Sequence, residues 1–223
     1  MCNKQKFREF CNYHNNLPIF LKDWWLDAVC NKNWDIAIVE QNNKIIAFMP
    51  YYLTNNMLYS VIKMPKLTQT MGPYIIYPPK QDYQSKLSYE KKVMNSLIQK
   101  LPKFDYFSQN FNYSMQNWLP FYWKKFKQTT FYTYVIEDLN DTKKIFNQFN
   151  YSKKKNINKA KNEIVIKNNM GFREFYNFHK FTLEKNNEKI SYDFNLLNRI
   201  CIAGYKNKSA KIFAAYDKTN NLH

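Results

Sequence analysis

The stretch best suited to hold a ligand is Thr68, Gln69, Thr70, Gly72, Pro73 and Tyr74, where hydroxyl and amide side chains run into a Gly-Pro turn. Such a turn presents backbone N–H groups and side-chain donors to a ligand, and it serves equally well as the entry to a strand. A second candidate is residues 153–163, which place Ile157, Ala160 and Ile164 on one helical face and Lys154, Lys155, Asn158, Lys159 and Lys161 on the other. Lys154 and Lys159 offer counter-charge to the phosphates of a nucleotide-linked precursor or a transfer RNA. A lysine-rich outer face is also what plain solvation produces. Trp24 and Trp25, and likewise Trp118 and Trp123, supply rings that stack on a base or line a substrate groove, Trp25 being the one assigned to substrate. Aromatic residues at helical spacing also build cores. Asp27, Asp105 and Glu184 are the acids to watch for deprotonation of an acceptor amine, and nothing pairs them in sequence. No residue is singled out as catalytic.

Several chemistries are excluded by spacing. The chain has no GxSxG elbow, no GxxxxGK(S/T) loop and no GxGxxG turn. Glycine occurs only at 72, 171 and 204, too far apart for successive backbone N–H groups to converge on a pyrophosphate. Cys2, Cys11, Cys30 and Cys201 form no CxxC pair, and His14, His179 and His223 form no ligand cluster, so no metal is expected and the thiols read as reduced and structural. The net charge of +17 suits a polyanionic partner. Yet the cations are almost all lysine, with arginine only at 8, 173 and 199, a bias that drift in base composition also explains. With 45% hydrophobic and 18% aromatic residues the chain has ample material for a core. No stretch approaches the roughly 18 consecutive apolar residues of a membrane span, and the start is polar, so a cytoplasmic location is expected.

The elements that must position these residues follow from periodicity. A short amphipathic helix is expected over 21–29, then strands over 34–40 and 45–53 joined by a hairpin loop containing Asn42-Asn43, with an exposed edge or bulge at Pro50. A third extended region runs through 57–64 into 67–78. Leu87, Met94, Leu97, Ile98 and Leu101 form one stripe of a helix over 86–101, stopped by Pro102, and the aromatic run 104–111 reads as a buried strand. A new cycle then opens with a strand over 129–136, a helix capped by Asp141 and a helix over 153–163. A short strand over 164–167, helices over 172–185 and 192–205 and a strand over 210–216 complete it. The two halves echo each other, and the second hairpin, after its turn at 217–221, lacks its return strand.

Residues 23–30 (DWWLDAVC), 49–53 (MPYYL), 64–74 (MPKLTQTMGPY), 87–91 (LSYEK), 101–107 (LPKFDYF), 109–111 (QNF), 117–130 (NWLPFYWKKFKQTT) and 132–139 (YTYVIEDL) together resemble the Fem-type branch of the GNAT acyltransferase superfamily. That branch contains the peptidoglycan-bridge aminoacyltransferases and a larger set of uncharacterised relatives, to which the resemblance is closer. It implies an α/β fold of tandem GNAT-like domains, each a mixed central sheet flanked by helices. The first would span 1–128 and the second 129–223, the latter incomplete by about a hundred residues, so that the chain is C-terminally truncated. It further implies transfer of an acyl or aminoacyl group to an amine acceptor such as a cell-wall precursor. The complete parent would use acyl-CoA or aminoacyl-tRNA as donor, with no cofactor held by this chain itself. Relatives tend to carry arginine where this sequence has Lys154 and Asn158, which weakens a bidentate phosphate grip there. Two other readings stand beside this one: an acyl-CoA-dependent N-acetyltransferase whose phosphate-cradling turn lies further along the parent chain, and a non-catalytic module that binds RNA or another polyanion.

Overall fold

The computed structural model describes residues 2–55, 58–136 and 138–223. The fold is mixed α/β, and its chain forms two compact units, Met1–Lys127 with Ser191–Asn207, and Gln128–Ile190 with Lys208–His223. Along the chain come α1 (Asn3–Tyr13), a 3-10 turn (Ile19–Leu21), α2 (Asp23–Cys30), β1 (Asp35–Gln41), β2 (Lys44–Tyr51), β3 (Leu53–Asn55), β4 (Ser60–Ile62) and β5 (Tyr74–Ile75). They are followed by α3 (Tyr83–Gln99), β6 (Tyr106–Phe107), α4 (Leu119–Trp123), α5 (Thr142–Gln148), α6 (Tyr151–Glu163), β7 (Ile164–Lys167), α7 (Phe172–Lys185), α8 (Phe194–Lys206) and β8 (Ala214–Asp217).

In the first unit, β1 and β2 form the expected hairpin, and Asn42 and Asn43 take the left-handed conformations its turn requires, at φ 50° and 59°. β2 is the middle strand of a β1-β2-β5 sheet. Residues 47–51 are buried in sequence rather than alternately, because the sheet is covered on both faces. Ala37, Ala47 and Met49 pack with Val93, Met94 and Leu97 of α3, while the ring of Phe48 lies 4.7 Å from that of Phe7 on α1. The anticipated irregularity exists but at Val39/Glu40, not at Pro50, which is fully buried. β5 pairs only with Ala47 and Phe48, so Pro50 lies beyond that ladder and its missing N–H costs no bond there.

A second small sheet, β3-β4-β6, pairs β4 and β6 in parallel. The strand expected over 104–111 is confined to Tyr106–Phe107 plus a single bridge from Phe111 to Met71. Its aromatic residues serve packing instead, with Phe111 meeting Phe121 at 5.0 Å and Phe107 meeting Phe126 at 5.1 Å. The start of the extended region expected over 57–64, at Met57, lies outside the described residues, and its end forms β4. α1 was not anticipated at all. It buries only Phe7 and Cys11, one turn apart, too narrow a stripe to stand out among eleven mostly polar residues.

In the second unit, α7 and β7 have the expected limits, and Asp141 caps α5 by accepting from the backbone N–H of Lys144 at 2.9 Å. The strand expected over 129–136 is not formed. The segment pairs with nothing among the described residues, and Phe131, Tyr132 and Tyr134 stand 79%, 95% and 104% exposed. β-propensity without a ladder partner does not make a strand. The face of α6 expected to turn inward is not buried either, since Ala160 is exposed and Ile157 and Ile164 only half-buried. The last strand begins at Ala214 rather than 210 and pairs antiparallel with β7 from Ile164↔Asp217 to Lys167↔Ala214. After its turn, Leu222 makes a single bridge to Tyr216 and the His223 N–H donates to the Ala215 carbonyl at 2.9 Å, and no further strand forms among the described residues.

Candidate functional site

The loop that carries Thr68 to Tyr74 is fixed from three directions. Leu67 enters at φ 60°, and Thr68, buried, accepts a hydrogen bond on Oγ1 from Trp25 Nε1 at 3.1 Å. Trp25 is itself buried on α2, edge-on to Phe20 at 5.0 Å and to Trp24 at 6.0 Å, so it stands behind the loop as its support. On the other side, Asn110 accepts from the Met71 N–H at 2.6 Å and donates from Nδ2 to the Gln69 carbonyl at 3.3 Å. Gly72, at φ 103°, lies so close to the Phe111 ring that a Cβ would overlap it. Pro73 is buried, and Tyr74 stacks on Phe48 at 5.1 Å as it enters β5.

This geometry divides the segment. Thr68, Gly72, Pro73 and Tyr74 are engaged in holding the turn, whereas Gln69 is exposed and Thr70 half-buried. The loop therefore offers an amide and a hydroxyl at a rigid turn. Neither Gln69 nor Thr70 carries a carboxylate, imidazole or amine, so these two side chains suit binding and positioning.

α2 is anchored from two sides by arginine. Arg8 on α1 binds Asp23 at 3.2 Å and Asp27 at 2.8 Å, and Asp27 also accepts from Trp34 Nε1 at 2.9 Å. Arg199 on α8 donates from Nε to the Ala28 carbonyl at 2.9 Å, in the last turn of α2. Two of the three arginines in this lysine-rich chain, Arg8 and Arg199, thus hold α2 through a fork and a directed donor.

The three acids singled out as bases are all occupied. Asp27 belongs to the arginine pair just described. Asp105 accepts from the Ser60 N–H at 2.7 Å while its own N–H donates to the Ser60 carbonyl at 2.8 Å, pinning β4 to β6. Glu184 pairs with Lys180 one turn earlier on α7, at 3.7 Å. An acid that sequence reasoning missed is Glu90, 6% exposed, which accepts from Tyr77 Oη at 2.8 Å and Asn117 Nδ2 at 2.9 Å. Burial, reinforced by the Glu90 carboxylate, pushes the Tyr77 phenol above its ordinary range. The signal was available, since Glu90 sits three residues after Leu87 and four before Met94, on the apolar stripe of α3.

Lys154 and Lys159 lie on α6 in the second unit. Lys154 is half-buried and donates from Nζ to the Asn147 carbonyl at 3.0 Å, and Lys159 is exposed. Of the tryptophans, Trp118 meets Tyr122 edge-on at 5.5 Å, and both border a shallow depression of about 380 Å³ with Gln116, Asn117 and Leu119. Another, of about 420 Å³, is lined by Ser60, Pro102, Lys103, Phe104 and Asp105. Neither includes the residues 68–74. Among the described residues no group of three or more His, Cys, Asp or Glu is placed to hold a metal ion, and no helix is long and apolar enough to cross a membrane.

The sequence matches no protein-family profile and no curated protein. The structure does match a solved one, the crystal structure of FemX, with a TM-score of 0.62 at 13% sequence identity. The match covers 96% of this chain and 56% of the FemX chain, so the chain spans little more than half the length of the protein it resembles. At this level of identity what is shared is the fold, and the fold of this chain is Fem-like.

Proposed function

We propose that the chain is part of a Fem-type aminoacyltransferase built from tandem GNAT-like domains, with 1–128 as the first and 129–223 as the opening portion of the second, of which Ser191–Asn207 packs in the first unit. The observation that carries this is the fold shared with FemX over nearly the whole chain. The acceptor is an amine on a cell-wall precursor, and the donor of the complete protein is aminoacyl-tRNA. In such a reaction the amine attacks the activated ester carbonyl and the tRNA hydroxyl leaves. The protein contributes alignment of the two reactants and stabilisation of the developing oxyanion. Gln69, Thr70 and the turn at Gly72 and Pro73 are assigned to the acceptor, with Thr68, Tyr74 and Trp25 fixing that turn. Lys154 and Lys159 are assigned to phosphates. The test is mass spectrometry of a nucleotide-linked peptidoglycan precursor after incubation with this protein and either aminoacyl-tRNA or acyl-CoA. A product heavier by one aminoacyl residue, formed only with the tRNA donor, supports the reading. An acyl product from the CoA donor instead favours an N-acetyltransferase, and no product from either sinks both for this chain.

A second reading, a polyanion-binding module without catalysis, is favoured by the net charge of +17 and by α6, which buries none of its residues and leaves Lys153, Lys155, Lys159 and Lys161 exposed. Its mark is salt dependence, a fall of roughly a hundred-fold or more in transfer-RNA affinity between 50 and 200 mM salt if several phosphates are neutralised. Affinity that is flat over this range removes the electrostatic basis of this reading.

A further inference from the structure

The loop 68–74 and α2 belong to the first 127 residues, but part of what holds them comes from much later in the chain. Helix α8 lies between two segments of the second unit, Gln128–Ile190 and Lys208–His223, and yet packs in the first unit against α2. It does so through buried Leu196, Leu197, Cys201 and Gly204, with Tyr192 buried just before it. Two polar ties accompany this packing. Arg199 Nε donates to the Ala28 carbonyl, three residues after Trp25, and Lys66 Nζ donates to the Ser191 carbonyl at 2.5 Å, two residues before Thr68. The ligand loop is thus tied to α8 directly at its entry and indirectly through α2 and the Trp25–Thr68 hydrogen bond.

We propose that α8 is a strap that sets the order of the 66–74 loop, with Arg199 as its positioning residue. Because the chain enters α8 from the second unit and returns to it afterwards, loosening of α8 is one covalent route by which the second half of the chain alters the loop of the first. The guanidinium holds the carbonyl end of α2. Without it the last turn of α2 loses one of its ties while Arg8 and Trp34 still hold Asp27, the Trp25–Thr68 bond loosens, and the loop opens locally rather than with the sheet. The functional meaning of this device rests on the assignment of 68–74 to the acceptor, but its existence does not.

The experiment is hydrogen exchange on the full chain without ligand, comparing wild type with Arg199→Ala and Arg199→Lys, and using the β1–β2 hairpin as internal reference. Arg199→Ala is expected to raise exchange across 66–74 by roughly ten-fold or more, the loss of one charge-assisted bond, with the hairpin unchanged. Arg199→Lys restores a donor to the carbonyl and recovers protection. Should Arg199→Ala not yield folded protein, the surface substitution Lys66→Ala carries the test by the same readout. Unchanged exchange at 66–74, or an equal rise in the hairpin, overturns the strap. Failure of Arg199→Lys to restore protection overturns the assignment to the carbonyl bond. Since no substrate is present, these outcomes are independent of whether the loop binds an acceptor, which product analysis decides separately.

Discussion

Gly72 combines a φ of 103° with an approach to Phe111 that leaves no space for a methyl group. Replacing it by alanine forces a strained backbone and a displaced ring together, and Gly72→Ala is expected to cost about 2–4 kcal/mol in urea unfolding. Thr68 makes a different contribution. Thr68→Val keeps the shape but leaves the buried Trp25 N–H without its acceptor, a loss of about 1–2 kcal/mol by the same measurement. A loss within about 0.3 kcal/mol of zero would show that the Trp25–Thr68 bond does not hold the loop. The turn at 72–74 was legible in the sequence because Gly-Pro is a local signal. The division of its side chains was not, since whether Thr68 faces the protein or the solvent depends on Trp25, 43 positions away.

At the scale of elements, what was legible is what local chemistry decides. Asn42-Asn43 set the hairpin turn, Asp141 capped a helix, and the apolar stripe of α3 placed Met94 and Leu97 in the core. What was missed depends on neighbours. α1 shows its purpose only once Phe7 meets Phe48, and the run 129–136 has strand chemistry with no partner among the described residues. The docking of α8 on α2 has no local signal at all. α1 and α2 also carry the buried thiols Cys11 and Cys30, each pushed up to about 12 by burial. The folded state therefore keeps these protons after the unfolded state has lost them. Their contribution is intact below the ordinary thiol value of 9.0 and is lost as pH rises from there towards about 12. The comparison is with a Cys11→Ala/Cys30→Ala variant, which keeps every other side chain. Its urea midpoint should fall less steeply between pH 8 and about 10.5 than that of wild type. Parallel curves for the two proteins would remove the thiols from this account.

For the whole molecule, the charge of +17 suits an anionic partner and the fold is Fem-like, and the proposed acceptor reading rests on these two observations. The chain spans 56% of the FemX chain, and the loop 68–74 lies in its first unit, so acceptor binding is the part of the proposed activity most directly accessible here. The decisive measurement is ligand-observed NMR of a nucleotide-linked peptidoglycan precursor with the full chain and with a Gln69→Ala/Thr70→Val variant. Saturation transfer to the precursor from wild type, with affinity reduced about ten-fold or more in the variant whose turn is otherwise intact, is the predicted result. Equal affinity in the two proteins, or no binding to either, would contradict the assignment of this loop to the acceptor.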